Sequence, residues 1–235
     1  MNTFNSAQKT PIPWLLNALC CWGVIIASIL VTNYYLNPVT FILCVLIVES
    51  RHHALLILGH DAAHYLVSKN KKLNDFLSYI FVGPMAFALQ RYRQFHFLHH
   101  RYLNTEKDPE MQFRSETLVD YRLPKNKKDF FIILLKDLSL INFRFNMQLF
   151  NVFRPAGWKD FISIYGSLAL IIAVLAYFHM YWVYALMFIV YVILFPILFR
   201  FRTWTEHWGS EETHVMNANF IERFFLYPCN THYHK

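Results

Sequence analysis

The sequence predicts an all-α, multi-pass membrane protein with four transmembrane helices in two hairpins, together with cytosolic and interfacial helices. Composition is the first observation: 56% of the 235 residues are apolar and 16% are charged, whereas ordinary globular domains are roughly 25% charged. The second is that four stretches contain no charged residue, at 14–36, 39–48, 161–178 and 181–199. At about 1.5 Å rise per residue, about 20 such residues cross the hydrocarbon layer. One such run is compatible with a buried core helix, but four with almost no polar face predict membrane spans, within a single domain at 1–235.

The positions of the basic residues predict how the spans are oriented. The linkers at 35–38 and 178–181 contain no Lys or Arg, so all 22 basic residues lie in the N-terminal tail, within 51–159, or after residue 199. By the positive-inside rule, these segments face the cytosol. The net charge of +7 is then mostly a topology signal, and no nucleic-acid partner is expected, because the basic residues are scattered among aromatic and aliphatic ones. A bacterial inner membrane is the favoured location, and the endoplasmic reticulum is the alternative.

Two histidine clusters predict a metal centre. His60 and His64 stand at i and i+4 near the cytosolic end of the second span, so both rings lie on one helical face. His96, His99 and His100, at i, i+3 and i+4, place three imidazoles on a common face. Imidazole nitrogens suit iron, zinc, copper or nickel. Because five candidates exceed what one tetrahedral zinc needs, a dinuclear centre is favoured over an incidental pair and a solvated polar face.

Other histidines differ in their expected roles. His207 lies just beyond the fourth span, and His232 and His234 lie close to the end of the sequence; all three are further candidates. His179, in the opposite loop, and His214, without patterned neighbours, are not expected to take part.

Ionisable residues also lie deeper in the second span. Glu49 and His53 share a helical face with His60 and His64, because the four are separated by four, seven and four residues. Such groups are costly inside a membrane and are usually functional. They are interpreted either as residues that orient a ligand imidazole or as a polar lining of a substrate tunnel. A satisfied cluster with Arg51 that has no chemical role is the alternative.

Four motifs resemble those of the membrane fatty acid desaturase superfamily, over residues 56–235. The segment 59–64 (GHDAAH), followed by Asn74-Asp75, is similar to the first histidine box. The segment 96–102 (HFLHHRY), with the later Asp108-Pro109, resembles the second. The segment 206–209 (EHWG) is similar to the additional histidine site, and 230–234 (NTHYH) to the opening of the third box.

The resemblance implies a function and a set of site residues. The expected activity is that of a membrane-bound, O2-dependent oxidoreductase with two Fe ions, which inserts a double bond into a fatty acyl chain. Its expected partners are a fatty acyl lipid or acyl carrier as substrate and a separate electron donor of the ferredoxin, rubredoxin or cytochrome b5 type. The implied iron ligands are His60, His64, His96, His99, His100, His207 and His234. Asp61 and Glu206 each adjoin a ligand in sequence and are expected to accept a hydrogen bond from a ligand imidazole of another helix.

The end of the sequence departs from the superfamily pattern. The third box of the superfamily continues to a further pair of histidines, whereas this chain ends at Lys235. The resemblance therefore implies that His234, not His232, is the ligand from this box. It also implies that the sequence is C-terminally incomplete, as a fragment or a trimmed sequence.

Other functions remain as alternatives. A carotenoid ketolase or hydroxylase and an alkane hydroxylase share the same scaffold. A membrane b-type cytochrome would need histidines that face each other across two spans at middle depth. A metal transporter would need polar ligands through the membrane, and the first, third and fourth spans contain almost none.

Two further apolar segments are not predicted to cross the membrane. Residues 76–89 are short and interrupted by Gly83-Pro84, and a crossing there would place the two histidine boxes on opposite sides. This segment is expected to be re-entrant or interfacial. Residues 130–153 are interrupted by charged residues and are expected to form an interfacial helix.

Chemical labelling tests this topology. Lys125, Lys127 and Lys128 should be inaccessible to an impermeant amine reagent in sealed, right-side-out vesicles, because the segment that carries them faces the cytosol. Lysed vesicles provide the positive control. Modification of these lysines in sealed vesicles would contradict the four-span arrangement.

Overall fold

The computed structural model of the chain describes residues 10–103, 105–117, 122–139, 141, 143–152, 154–206, 219 and 224. Within these residues the protein is helical, with no strand. Four helices are long and apolar enough to cross a membrane: α1 (Ile12–Tyr34), α2 (Pro38–Ala63), α8 (Trp158–Tyr177) and α9 (Trp182–Phe201). The helix of the fourth span continues to Glu206. The predicted all-α fold with four spans in two hairpins is confirmed.

The first hairpin is formed by α1 against α2. Buried residues on α1 recur at intervals of four, three and four, at Trp14, Ala18, Cys21 and Ile25, which is the spacing of one helical face. The Trp14 indole N–H donates to the Leu58 carbonyl across the pair at 3.0 Å. Leu16, Leu19, Ile26 and Leu30 of α1 face outward, as expected for a helix whose solvent on that side is lipid.

The central helix is α2. In the most apolar 18-residue stretch of α2, 61% is buried, against 17–28% in the corresponding stretches of the other three spans. Its N-terminus is well defined, because the Asn37 side chain accepts from the N–H groups of Val39 and Thr40 while the Thr40 hydroxyl accepts from the Asn37 N–H. This capping box satisfies N–H groups that have no partner within the helix. Pro38 occupies the first helical position, where a missing N–H costs nothing.

The segment between the two histidine boxes folds back instead of crossing. It consists of α3 (Lys71–Phe81), a 3-10 turn (Gly83–Met85) and α4 (Leu89–Tyr102). The Trp22 indole N–H of α1 donates to the carbonyl of Phe81 at 2.9 Å, which holds the end of α3 against the first span. This agrees with the expectation that 76–89 is not a span.

In the described residues between α4 and the second hairpin there are three helices. They are α5 (Pro109–Thr117), α6 (Lys127–Leu138) and α7 (Phe143–Val152). The single interfacial helix expected at 130–153 is therefore two helices. Helix α6 ends where the Ser139 hydroxyl donates to the Lys136 carbonyl at 2.7 Å, a local side-chain bond that competes with continuation of the helix.

Both spans of the second hairpin contain a π-helical segment, Ile162–Gly166 in α8 and Ile189–Leu194 in α9. An inserted residue of this kind changes the direction of the side chains on either side of it, and such segments occur frequently at functional sites. Periodicity alone did not predict them, because they leave the apolar character of the spans unchanged.

Gly83 allows the 3-10 turn to approach the third span. A Cβ atom at this position would lie 1.6 Å from Ser163 Oγ and 2.9 Å from Ser163 Cβ. The Ser163 hydroxyl is itself fixed, because it donates to the Tyr79 carbonyl at 2.6 Å. The contact holds α8 against the segment between the two boxes and leaves no room for a side chain.

Replacement of Gly83 tests this contact. Gly83→Ala should lower the free energy of unfolding by about 1–3 kcal/mol, the usual range for overpacking, as measured by thermal unfolding in detergent. Gly23→Ala is the matched control, since nothing lies within 4 Å of a Cβ there. The control should be neutral or slightly stabilising, because Ala is favoured over Gly inside a helix by roughly 0.5–1 kcal/mol. Equal unfolding temperatures for the two variants would show that the chain accommodates the clash.

Candidate metal centre

Four of the predicted histidines form one group, where the C-terminal part of α2 meets α4. Each offers a ring nitrogen, and these four nitrogens all lie within 4.8 Å of one another. The members are His60, His64, His96 and His100. His60 and His96 are buried, and the other two are partly buried. The i, i+4 spacing on each helix brings two rings to the facing side, as predicted.

His96 lies at the middle of the group. Its Nε2 atom is 2.9 Å from His64 Nε2 and 2.9 Å from His100 Nε2. The ring of His60 is 4.6 Å from those of both His64 and His96, measured between centroids.

This convergence fits a cation. A ring nitrogen carries either one proton or one lone pair, so His96 Nε2 forms a normal hydrogen bond with only one of its two nitrogen neighbours at a time. A shared metal ion allows all of these nitrogens to present lone pairs to one point. Ligands on opposite sides of an ion at about 2.1 Å are about 4 Å apart, which is close to the upper limit of the separations within the group.

Aromatic rings enclose the group on its protein side. The ring of Tyr92 stacks on that of His96, with centroids 5.0 Å apart and planes 14° apart. Phe97 packs against His64 at 5.5 Å, and Phe87 packs against Tyr92 at 4.8 Å. These contacts restrict rotation of the imidazoles, and the buried rings of Tyr92 and Phe87 exclude water from the side of His96 that they cover, whereas Phe97 is exposed.

Arg93 fixes α4 to the end of α2. Its Nε donates to the Ala63 carbonyl, and one of its terminal nitrogens donates to the Ala62 carbonyl, both at 3.0 Å. The same guanidinium pairs with both carboxylate oxygens of Asp75, at 2.6 and 3.2 Å. The last carbonyls of a helix have no partner within it, and a cation at that end is favourable. The Arg93 side chain therefore satisfies the last carbonyls of α2 and at the same time orients α4.

Asn74 and Tyr65 complete this junction. The buried Asn74 donates to the Ala62 carbonyl at 2.8 Å and accepts from the Val67 N–H at 3.2 Å. The chain reverses at Tyr65, which has a φ of 56°, a conformation that bulky residues rarely adopt. Its ring is held under the Arg93 guanidinium, 4.0 Å from the centroid. The turn after the first box is thus fixed by groups from α3 and α4.

The N-terminus of α4 is capped from the third span. Asp160, fully buried, accepts from the Gln90 N–H and from the Ala156 N–H, each at 3.2 Å. The residue before the helix, Ala88, has no side chain able to cap. A carboxylate at a helix N-terminus satisfies a free N–H and interacts favourably with the helix dipole.

His99 does not join the four-histidine group. Its ring centroid is 5.9 Å from that of His96 and 5.6 Å from that of His100. Consecutive positions on a helix are about 100° apart, so His99 and His100 lie on different flanks, and His99 faces α5. Here its Nδ1 is 2.8 Å from Asp108 Oδ1, and its Nε2 is 3.3 Å from Glu110 Oε2. The role of His99 as a ligand stays a prediction.

Asp108 is well placed to orient His99. Both side chains are buried, and Asp108 Oδ1 also accepts the Glu110 N–H at 2.9 Å, which fixes the carboxylate at the start of α5. A carboxylate accepts, so the imidazole donates from Nδ1 to Asp108 and presents Nε2 toward Glu110. Glu110 is paired with Arg114, one turn further along α5.

The other predicted site residues are more distant or are not described. Asp61 Oδ1 is 3.8 Å from His60 Nδ1, beyond hydrogen-bond length, and its expected contact with a ring of another helix stays a prediction. Glu49 and His53 are buried in α2. The side chain of Glu206 and all of His207, His232 and His234 lie outside the described residues.

Sequence reasoning did not identify Asp108, Glu110 and Arg93 as supports of the centre. For Asp108 a signal was present, since Asp followed by Pro marks the start of a helix only nine residues after His99. The Glu110–Arg114 spacing of i, i+4 also indicated an ion pair. Arg93 gave no such signal, because its partners come from the ends of other helices.

Comparisons with known proteins agree on the class of protein. The family model described as fatty acid desaturase matches residues 36–234. A dihydrorhizobitoxine desaturase from Bradyrhizobium elkanii is 34% identical over 111 residues, which are 44% of this chain and 30% of that protein. The match thus spans less than a third of the length of that relative. No solved structure matches the chain.

Substitution of Asp108 tests its role. Asp108→Asn retains a good helix cap but removes the charge that orients His99, so it should weaken metal binding about 10-fold to 100-fold, the usual effect of losing such a partner. Metal retention against a graded chelator is the measurement. Asp129→Asn is the matched control. Like Asp108, Asp129 is a carboxylate near the start of a helix. It pairs with Arg122 and contacts no histidine in the described structure. Equal retention in both variants would leave Asp108 with only its capping role.

Proposed function

The chain belongs to the fatty acid desaturase family, and from this premise we propose that it is a di-iron, dioxygen-dependent enzyme that introduces a double bond into a fatty acyl chain. The observation that carries the proposal is the convergence of His60, His64, His96 and His100. Four imidazoles from two helices form a donor set that suits a first-row transition metal. Side chains alone do not supply the oxidant needed to remove hydrogen from an unactivated methylene.

The residues divide between two metal positions. The four-histidine group offers more nitrogen donors than a three-ligand site with an open position needs. His99 lies on the adjacent flank of α4, where its Nε2 is 3.3 Å from the carboxylate of Glu110. In the proposal His99, with His207 and His234 outside the described residues, completes the second position. When bound, two irons supply the oxidising power by which the acyl chain loses two hydrogens, while dioxygen, two electrons and two protons yield two waters.

The protein's own part is to hold the rings and exclude solvent. Arg93 keeps the two pairs of histidines in register, and Asp108 selects the nitrogen that His99 presents. Tyr92 and Phe97 shield the imidazoles that they contact. A rigid, partly dry site limits side reactions and strengthens electrostatic interactions within it.

The location of the centre supports the proposed partners. The boxes lie at the end of α2 that adjoins the basic segments, so we place the site on the cytosolic side, in reach of a separate electron donor of the ferredoxin, rubredoxin or cytochrome b5 type. The histidines of α4 belong to a helix that is not a span, which argues against haem held between two spans. The Bradyrhizobium relative is named as a desaturase, which supports the proposed reaction type, whereas the choice of a fatty acyl chain rests on the family.

Product analysis with a variant at His96 tests the function. A host expressing the gene should accumulate an unsaturated acyl chain, and one dioxygen should be consumed for each double bond. His96→Ala should lose iron and turnover, because His96 is central to the group. His179→Asn is the control: His179 lies in the opposite linker with a φ of 56°, which Asn tolerates.

Four results would contradict the proposal. Formation of keto- or hydroxy-carotenoids with unchanged acyl chains would support the carotenoid ketolase or hydroxylase alternative, and hydroxylated alkanes would support the alkane hydroxylase alternative. Stoichiometric zinc in the active protein would exclude iron chemistry. Full activity of His96→Ala would place the metal elsewhere.

A further inference from the structure

Two buried titratable side chains lie within the second span, away from the metal centre. Glu49 is 4% exposed and His52 is 2% exposed. Glu49 Oε2 is 3.7 Å from His52 Nδ1, which is within ion-pair range but longer than a normal hydrogen bond. Within the described part of the chain, neither carboxylate oxygen and neither ring nitrogen of this pair has a hydrogen-bond partner. His52 was not singled out from the sequence, because it lies one position from the face shared by Glu49 and His53.

Such a pair requires an explanation. Burial of a polar group without a hydrogen bond costs several kcal/mol, and a charged group costs more. Almost all buried polar groups in proteins are satisfied, so an exception indicates a functional role or a bound group. Ionisable residues inside a membrane usually mark a binding site or a pathway.

The surroundings of the pair come from another span. The His52 ring packs against the rings of Tyr191 and Phe195 in α9, at 4.6 and 5.4 Å between centroids. Tyr191 belongs to the π-helical segment Ile189–Leu194. Its hydroxyl is 3.8 Å from Met85 Sδ, and a thioether is a weak acceptor. The π-helical segment of α9 therefore packs against His52 of the buried pair in α2.

The pair and the metal centre share one side of α2. Glu49 and His60 are eleven residues apart, which is about three helical turns and about 16 Å along the axis. Leu56, between them on this face, is only partly buried. A chain whose reacting carbon lies at the four histidines and which follows this face into the membrane reaches Glu49 and His52.

We propose that Glu49 and His52 bind a hydroxyl or amine group that the substrate carries far from its reacting carbon. This inference rests on the proposed desaturase function and specifies the class of chain. A hydroxyl donates its proton to the Glu49 carboxylate, and its oxygen accepts a hydrogen bond from an N–H of His52. A terminal methyl leaves both groups unsatisfied, and sites that are built to bind an O–H or N–H strongly reject analogues that lack it.

A pair of chains of matched length tests this inference. One carries a terminal hydroxyl and the other a terminal methyl, over a graded series of lengths, with a terminal amine as a third arm. Equilibrium binding to the purified protein in lipid nanodiscs is measured by displacement of a fluorescent chain, separately from turnover. At the best length, the hydroxyl or amine chain should bind at least about 10-fold more tightly, the usual effect of a hydrogen bond to a charged group.

Substitutions then assign the preference. Glu49→Leu should reverse it in favour of the methyl chain, and Glu49→Gln, which preserves volume and an acceptor, should retain part of it. Ser50→Ala is the control on the same helix, because Ser50 bonds to the Phe224 carbonyl instead of to the pair. It should leave the preference unchanged. Thermal unfolding of each variant identifies loss of folding, in which case Glu49→Gln decides.

Each outcome is informative. Equal binding of the chains, preference for the methyl chain in the wild type, or no binding of any chain would overturn the inference. An unchanged preference in both Glu49 variants would also do so. A preference that depends on Glu49, with no desaturation of any chain, would refute the proposed function while the binding site stands.

Discussion

The position of α4 against α2 depends on the Arg93 guanidinium. It contacts the last carbonyls of α2, the carboxylate of Asp75 and the ring of Tyr65 at once. The Ala62 and Ala63 carbonyls adjoin His64 in sequence, and Arg93 is one turn from His96. A single planar group with several donors therefore fixes the distance between the two histidine pairs. Lysine, a point charge on a flexible stem, does not reproduce this fork of donors.

The rest of the structure holds α4 in this position. Asp160 of the third span caps its N-terminus, and Gly83 allows the preceding turn to contact Ser163 of the same span. At the other end, Asp108 of α5 contacts His99. The second hairpin is thus more than a membrane anchor, since it determines where the second-box helix begins. A metal site built on helices needs such support, because small displacements of ligands weaken binding.

Much of this arrangement was predictable from the sequence, for identifiable reasons. Uncharged stretches of about 20 residues report membrane spans directly, and i, i+4 pairs report shared helical faces, so the four spans and the meeting of His60, His64, His96 and His100 were predictable. The direction of His99 was not, because i+3 and i+4 positions flank one face and only the partner helix decides between them. His99 instead contacts Asp108, the residue that caps the start of α5. The π-helical segments were also invisible, since an extra residue in a helix changes direction but not composition.

Polar groups along α2 are managed in two different ways. At its C-terminal end, the free carbonyls and the histidines meet donors from α3 and α4, and the polar groups there belong to a dense network. Farther along the helix, the His52 ring packs against aromatic rings, and among the described residues none offers a hydrogen bond to Glu49 or His52. The α-helix between the two places is regular, so the spacing of about three turns is rigid. A one-residue insertion between them would rotate Glu49 by about 100° and remove it from the face of His60. The part of α9 that packs against His52 contains the π-helical segment Ile189–Leu194, so its local geometry is irregular. In the inferred binding site, α2 therefore provides a fixed reference for the length of a bound chain, and the fourth span provides the surface at the far end of that chain.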